Sequence, residues 1–120
     1  MAMTGRWQIW MACFWETVLV AFVDGHRAGF AGLLPNDNFL HSLYVDPDFQ
    51  GRGVGSALLE AVQQRFTSTG VLKCLMLNEL AQAFYLKHGW QREATGESEQ
   101  GKYVLMHFPL TARASGIRVR

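Results

Sequence analysis

Gly51, Gly53 and Gly55 occupy three of five consecutive positions in the stretch Gln50-Gly51-Arg52-Gly53-Val54-Gly55-Ser56, immediately before an apolar-periodic segment. Glycines at the mouth of a helix let backbone N–H groups approach a ligand closely, and the helix N-terminus adds unpaired donors and a partial positive charge. The chemistry this suits is phosphate binding. An anion there gains about 0.3 to 1 kcal/mol from the helix dipole, and about 2 kcal/mol when partly buried. Arg52 adds a mobile positive charge. The same glycines also serve a plain tight turn from strand to helix, and the loop alone leaves both uses open. Two nucleotide-binding loops are excluded. A Walker A loop needs Lys and Ser or Thr after its last glycine, where this chain has Ser56-Ala57. A Rossmann fingerprint needs another glycine spacing and an acidic residue at the end of the next strand, where this chain has Asn78.

The elements that must position this loop are legible in the hydrophobic pattern. Glu16 to Val23 is a β-branched run closed by Asp24-Gly25, a hairpin dipeptide; Arg27 to Leu34 returns as a second strand, and the turn Pro35 to Asn38 leads into a third, Phe39 to Val45. These three are expected as an antiparallel meander. Val54, Ala57, Leu58, Ala61, Val62 and Phe66 follow one helix face, which predicts a helix from near Gly53 to Ser68–Gly70. Val71 to Leu77 then reads as a buried strand, and strand, helix, strand is a crossover unit that makes its two strands parallel neighbours. Asn78 is a good N-cap and Gly89 a good C′ residue, so a short helix is expected over Glu79 to His88. Trp90 to Thr95 and Lys102 to Phe108 complete an α/β (α+β) fold in the order βββ-α-β-α-ββ, with a mixed, mostly antiparallel sheet.

With 120 residues, 49% apolar and 18% charged, the chain reads as one globular domain: a core over residues 16–109, an apolar segment over 1–15 and a basic tail over 110–120. The net charge of +1 and the scattered basic residues give no nucleic-acid footprint. Cys13 and Cys74 fit no metal or disulfide spacing and are read as reduced core cysteines. Arg6, Gln8, Glu16 and Asp24 interrupt the apolar start before it reaches a membrane-spanning length, so a cytoplasmic protein is expected.

The stretch Leu43 to Val62 resembles the acetyl-CoA-binding motif of the GNAT family of N-acetyltransferases: Gln or Arg, two residues, Gly, one residue, Gly or Ala, matched by Gln50, Gly53 and Gly55. A hydrophobic strand ending Val45-Asp46-Pro47 precedes it, as in the family. Asn78, Ala81, Phe84, Tyr85 and Gly89 are similar to the family's second segment, with Trp90 for the usual Phe. Two motifs in order are far more specific than either alone, and the resemblance covers roughly residues 16–109. It implies an acetyl-CoA-dependent enzyme without a metal, moving acetyl directly to an amine. It also implies that the pyrophosphate of coenzyme A lies on backbone amides of Gln50, Gly51, Arg52, Gly53, Val54, Gly55 and Ser56. Backbone groups of Leu43, Tyr44 and Val45 would meet pantetheine and polarise the acetyl carbonyl. Asn78 would contact the pantetheine arm, a role that a plain N-cap does not need. Tyr85 resembles the general acid that protonates the departing thiolate; a packing aromatic is the alternative.

The acceptor amine must arrive neutral, and a histidine is suited to take its proton. His41 is the candidate base, on the alternating face of Phe39, Leu43 and Val45; the other reading is a histidine satisfied at the sheet surface or in the core. His26, His88 and His107 read as structural or solvated. Family members begin with a strand and two helices, whereas fifteen residues precede Glu16 here. A segment carrying Trp7, Ile9, Trp10, Met11, Phe14 and Trp15 with a shortened N-terminal region suggests either a homodimer or a segment folded over its own sheet. The shortening also opens a second function, an acetyl-CoA-binding sensor or interaction module without turnover.

Overall fold

In a computed structural model, residues 7–13 are described as backbone and residues 16–111 in full. Among them are seven strands and two α-helices, in two compact units that divide between Arg65 and Phe66.

The first unit contains four strands: β1 (Trp7–Cys13), β2 (Thr17–Val23), β3 (His26–Leu34) and β4 (Phe39–Val45). Each pairs antiparallel with the next. The expected meander is therefore present, with one strand more than the sequence reading gave: Trp7 to Cys13 aligns residue by residue with β2, Trp7 opposite Val23 and Cys13 opposite Thr17. The β2–β3 turn has the geometry its dipeptide demands, with φ of 51° at Asp24 and 83° at Gly25. Both central residues of that two-residue turn need positive φ to match the strand twist.

Helix α1 (Val54–Gln63) packs on β2, β3 and β4 and buries Val54, Leu58, Leu59 and Val62 against Leu19, Ala21, Ala31, Leu33 and Leu40. It ends earlier than its apolar pattern suggests. Phe66, which the periodicity assigns to the helix face, instead joins an aromatic cluster of the second unit, with ring centroids 5.9 Å from Trp90 and 6.2 Å from Phe108. Packing against two large rings outweighs one further helical turn through Thr67, Ser68 and Thr69.

The second unit holds β5 (Gly70–Leu75), α2 (Glu79–Lys87), β6 (Gln91–Ser98) and β7 (Gly101–Phe108). Strand β7 pairs antiparallel with both β5 and β6. Its core is Leu72, Cys74, Trp90, Val104, Met106 and Phe108. β5 is shorter than expected, because Asn78 N–H donates to the Leu75 carbonyl and turns the chain; Leu77 is left 94% exposed. The chain order β4, α1, β5 is that of the expected crossover, and the class is mixed α/β with mostly antiparallel pairing. Cys74 is a buried free thiol; the side chain of Cys13, the aromatic side chains up to Trp15, and the basic tail residues Arg113, Arg118 and Arg120 lie outside the described residues.

Candidate active site

In the first unit, the chain leaves β4 at Val45 and makes a single 3-10 turn over Pro47–Phe49 before the glycine loop. Asp46 caps that turn, its side chain accepting from Asp48 N–H at 2.9 Å. The Gln50 side chain reaches back and donates to the Val45 carbonyl at 3.2 Å, tying the loop to the end of the strand. Gly51 and Gly53 both take left-handed φ, 81° and 83°, which an L side chain adopts at a cost of about 1 to 2 kcal/mol. A Cβ on Gly51 would meet nothing within 4 Å, so that glycine answers a backbone requirement and not crowding.

The helix that follows starts without help from its own side chains. Gly53 is its N-cap, no side chain caps it, and no acidic residue stands in its first turn. Val54, Gly55 and Ser56 thus form a helix mouth whose positive end no side-chain carboxylate of that turn offsets. Arg52 lies over the Phe49 ring at 5.3 Å. With Arg27 and His26 it borders an open cleft of about 790 Å³ that Asp24, Asp46 and Asp48 also line, so the cleft is mixed in charge.

His41 stands elsewhere than strict alternation places it. Leu33 pairs with Leu40 and Gly32 pairs with Ser42, so His41 is an extra residue, a β-bulge, on β4. A bulge re-aims the side chains around it. Leu40 is buried, Leu43 pairs with buried Ala31, and His41 turns to the opposite face, shared with Ser42 and Tyr44. The expected grouping with Leu43 and Val45 is therefore corrected. On that face the His41 Nε2 and a Glu16 carboxylate oxygen form a hydrogen-bonded pair. Phe30 and Tyr44 pack with tilted rings, centroids 5.5 Å apart, and with Val18, Val20, Arg27 and Asp46 line a pocket of about 460 Å³. Of the predicted site residues, the first unit thus holds Leu43, Tyr44, Val45, His41 and the whole loop from Gln50 to Ser56.

The second unit holds Asn78 and Tyr85. Asn78 is the N-cap of α2, its Oδ1 accepting from Ala81 N–H at 3.1 Å. Gln82, buried beneath it, donates to the carbonyls of Leu75 (3.2 Å) and Met76 (2.9 Å) and accepts from Arg92 Nε at 3.3 Å. It fixes the turn that presents Asn78, and the sequence reading passed over it because a glutamine in a helix carries no pattern. Tyr85 packs between Phe84 and Trp90, with centroids at 5.4 and 5.9 Å. Burial, and secondarily the neighbouring Cys74, push its phenol up to about 12; burial also raises the Cys74 thiol. His88 Nδ1 lies 2.9 Å from the Phe84 carbonyl at the C-terminal end of α2, a structural role as expected. Among the described residues no three His, Cys, Asp or Glu side chains gather as a metal site, and no helix is long and apolar enough to cross a membrane.

A family model for acetyltransferases matches residues 4–90, a span that includes the glycine loop, β4 and α1. The chain belongs to the acetyltransferase (GNAT) family. An uncharacterized N-acetyltransferase of Mycobacterium bovis is 29% identical over 103 aligned positions, covering 76% of this chain and 66% of that protein; proteins of two Mycobacterium tuberculosis strains match equally. The chain thus spans just under two thirds of the length of these GNAT relatives. Among solved GNAT structures, a variant of the spermidine N-acetyltransferase of Vibrio cholerae superposes with a TM-score of 0.73 at 16% identity, covering 86% of this chain and 69% of that one. The PaiA N-acetyltransferase of Thermoplasma acidophilum, solved with coenzyme A, gives 0.64 at 23% identity, covering 78% and 60%. At these identities the structures establish the GNAT fold. The family model agrees with the sequence resemblance, and β1 lies within the fifteen residues before Glu16, where the region that precedes the core was expected to be missing or drastically shortened.

Proposed function

We propose that this GNAT protein is an N-acetyltransferase that moves acetyl from acetyl-CoA directly to a primary amine. The observation that carries the reading is the helix mouth at Gly53, built with neither cap nor acidic residue directly after the strand that would carry the thioester. In this reading the pyrophosphate sits on the amides from Gln50 to Ser56, and backbone groups of Leu43, Tyr44 and Val45 align pantetheine and polarise the acetyl carbonyl. The amine nitrogen bonds to the carbonyl carbon, the carbon–sulfur bond breaks, and the electron pair leaves with sulfur. His41 accepts the amine proton.

Tyr85 serves the departing sulfur. Burial pushes the Tyr85 phenol up to about 12, so its proton is held firmly on the phenol oxygen. Tyr85 therefore acts as a hydrogen-bond donor to the thiolate more than as its proton source. Asn78, its Oδ1 engaged in the cap, serves the pantetheine arm through its amide nitrogen.

The test mixes the protein with acetyl-CoA and spermidine, a lysine peptide, an alanine-terminal peptide and an aminoglycoside, following thiol release alongside calorimetric titration of acetyl-CoA. Binding with turnover of at least one amine is expected. Binding without turnover would leave the sensor or interaction module, and absence of binding would sink both. The same reading has the protein working in the cytoplasm as a homodimer through its apolar N-terminal region, and sedimentation at micromolar concentration is expected to give twice the chain mass.

A further inference from the structure

We propose that Glu16 is a positioning residue, which holds His41 in the one tautomer and ring orientation that leaves Nδ1 to take the amine proton. The proposal rests on the reading of His41 as the base.

Three strands cooperate to make the pair. Glu16 stands one residue before β2 and His41 lies in β4; both strands pair with β3, on its two sides. The extra residue in β4 turns His41 onto the face of Gly32. A Cβ at position 32 would come 2.5 Å from Ser42 Oγ, 2.8 Å from His41 Nε2 and 2.9 Å from Glu16 Oε2, closer than a Cβ sits to such atoms, so the pair passes over a bare α-carbon and a methyl group there would push these side-chain ends aside. Glycine in mid-strand weakens a sheet and marks a close approach. Here the approach is by three side chains, Ser42, His41 and Glu16.

The hydrogen bond sets the chemistry. A carboxylate only accepts, so Nε2 carries the hydrogen and the lone pair lies on Nδ1. When the amine attacks, its proton passes to Nδ1 and the resulting imidazolium faces a carboxylate already in place; Glu16 itself neither gains nor loses a proton. Both side chains are partly open to solvent, 34% and 27% exposed, and exposed ion pairs add little stability. Orientation is what the pair supplies.

The experiment combines imidazole ¹⁵N shifts of His41 in the full chain with steady-state kinetics on the most active amine of the panel. The wild type is expected to show the Nε2–H tautomer. Glu16→Ala should mix the tautomers and lower kcat about tenfold with an unchanged KM for acetyl-CoA, and Glu16→Asp should recover part of both. Gly32→Ala, which wedges a methyl group under the pair, should reproduce the Glu16→Ala signature independently. If Glu16→Ala keeps both the tautomer and kcat while His41→Gln abolishes turnover, the proposal fails and the base reading stands. If His41→Gln turns over like the wild type, or no amine turns over at all, the base reading fails and takes the proposal with it.

Discussion

Helices α1 and α2 begin in opposite ways. α2 opens with a complete set of local devices: Asn78 caps it, Glu79 stands in the first turn and Lys87 in the last. α1 opens with none of them, behind two left-handed glycines. A capped helix start is finished by its own sequence, whereas an uncapped one leaves donors and charge to be completed from outside. A helix mouth is left open at α1 by withholding residues and closed at α2 by adding them; under the proposed function the open one takes the cofactor.

The most direct way to break the contrast is to give α1 the cap it lacks. Gly53→Asp brings a carboxylate to the helix mouth, so acetyl-CoA affinity should fall by up to about thirtyfold, about 2 kcal/mol, while the left-handed φ at that position costs about 1 kcal/mol of stability; calorimetry and a melting curve check both halves. Next in size is Tyr85→Phe, expected to lower kcat about tenfold with acetyl-CoA affinity unchanged, in single-turnover and binding measurements. Its alkaline behaviour is a separate test. The phenol is raised from 10.0 to about 12, so the folded chain disfavours the phenolate. Its contribution to stability is complete below pH 10 and is lost as pH rises through 12, and the wild-type Tm should fall more steeply than that of Tyr85→Phe across that interval. Asn78→Ala removes the cap of α2 at about 1 kcal/mol, a fall in Tm of about 4 °C, whereas Asn78→Gly should cost only a few tenths of a kcal/mol. The smallest effect belongs to Arg52→Ala, expected to weaken acetyl-CoA binding about threefold in low salt and less in high salt.

Local chemistry was readable in the chain and long-range geometry was not. Asp24-Gly25, Gly53 and Asn78 each state their own backbone requirement, so the hairpin, the loop and the cap could be read without any partner. Trp7 to Cys13 became a strand because β2 offered an edge, which no pattern within those seven residues announces. Phe66 left the helix for rings at positions 90 and 108. His41 was found as a candidate by residue type, but its face was misread, since one extra residue in β4 is visible only against the register of β3. Glu16 gave no signal, because its partner lies 25 positions away across another strand.

That extra residue has a consequence for how such a site changes. In a regular strand, identity decides chemistry and position decides face; after His41 the number of residues decides which neighbours share its face, Ser42 and Tyr44 in place of Leu43 and Val45. Deleting the one residue between Leu40 and Ser42 would take the imidazole away altogether and leave Leu40, Ser42 and Leu43 in simple alternation against β3. Insertion and deletion are thus as potent here as substitution, and related chains compared letter by letter across β4 would hide the change that matters most.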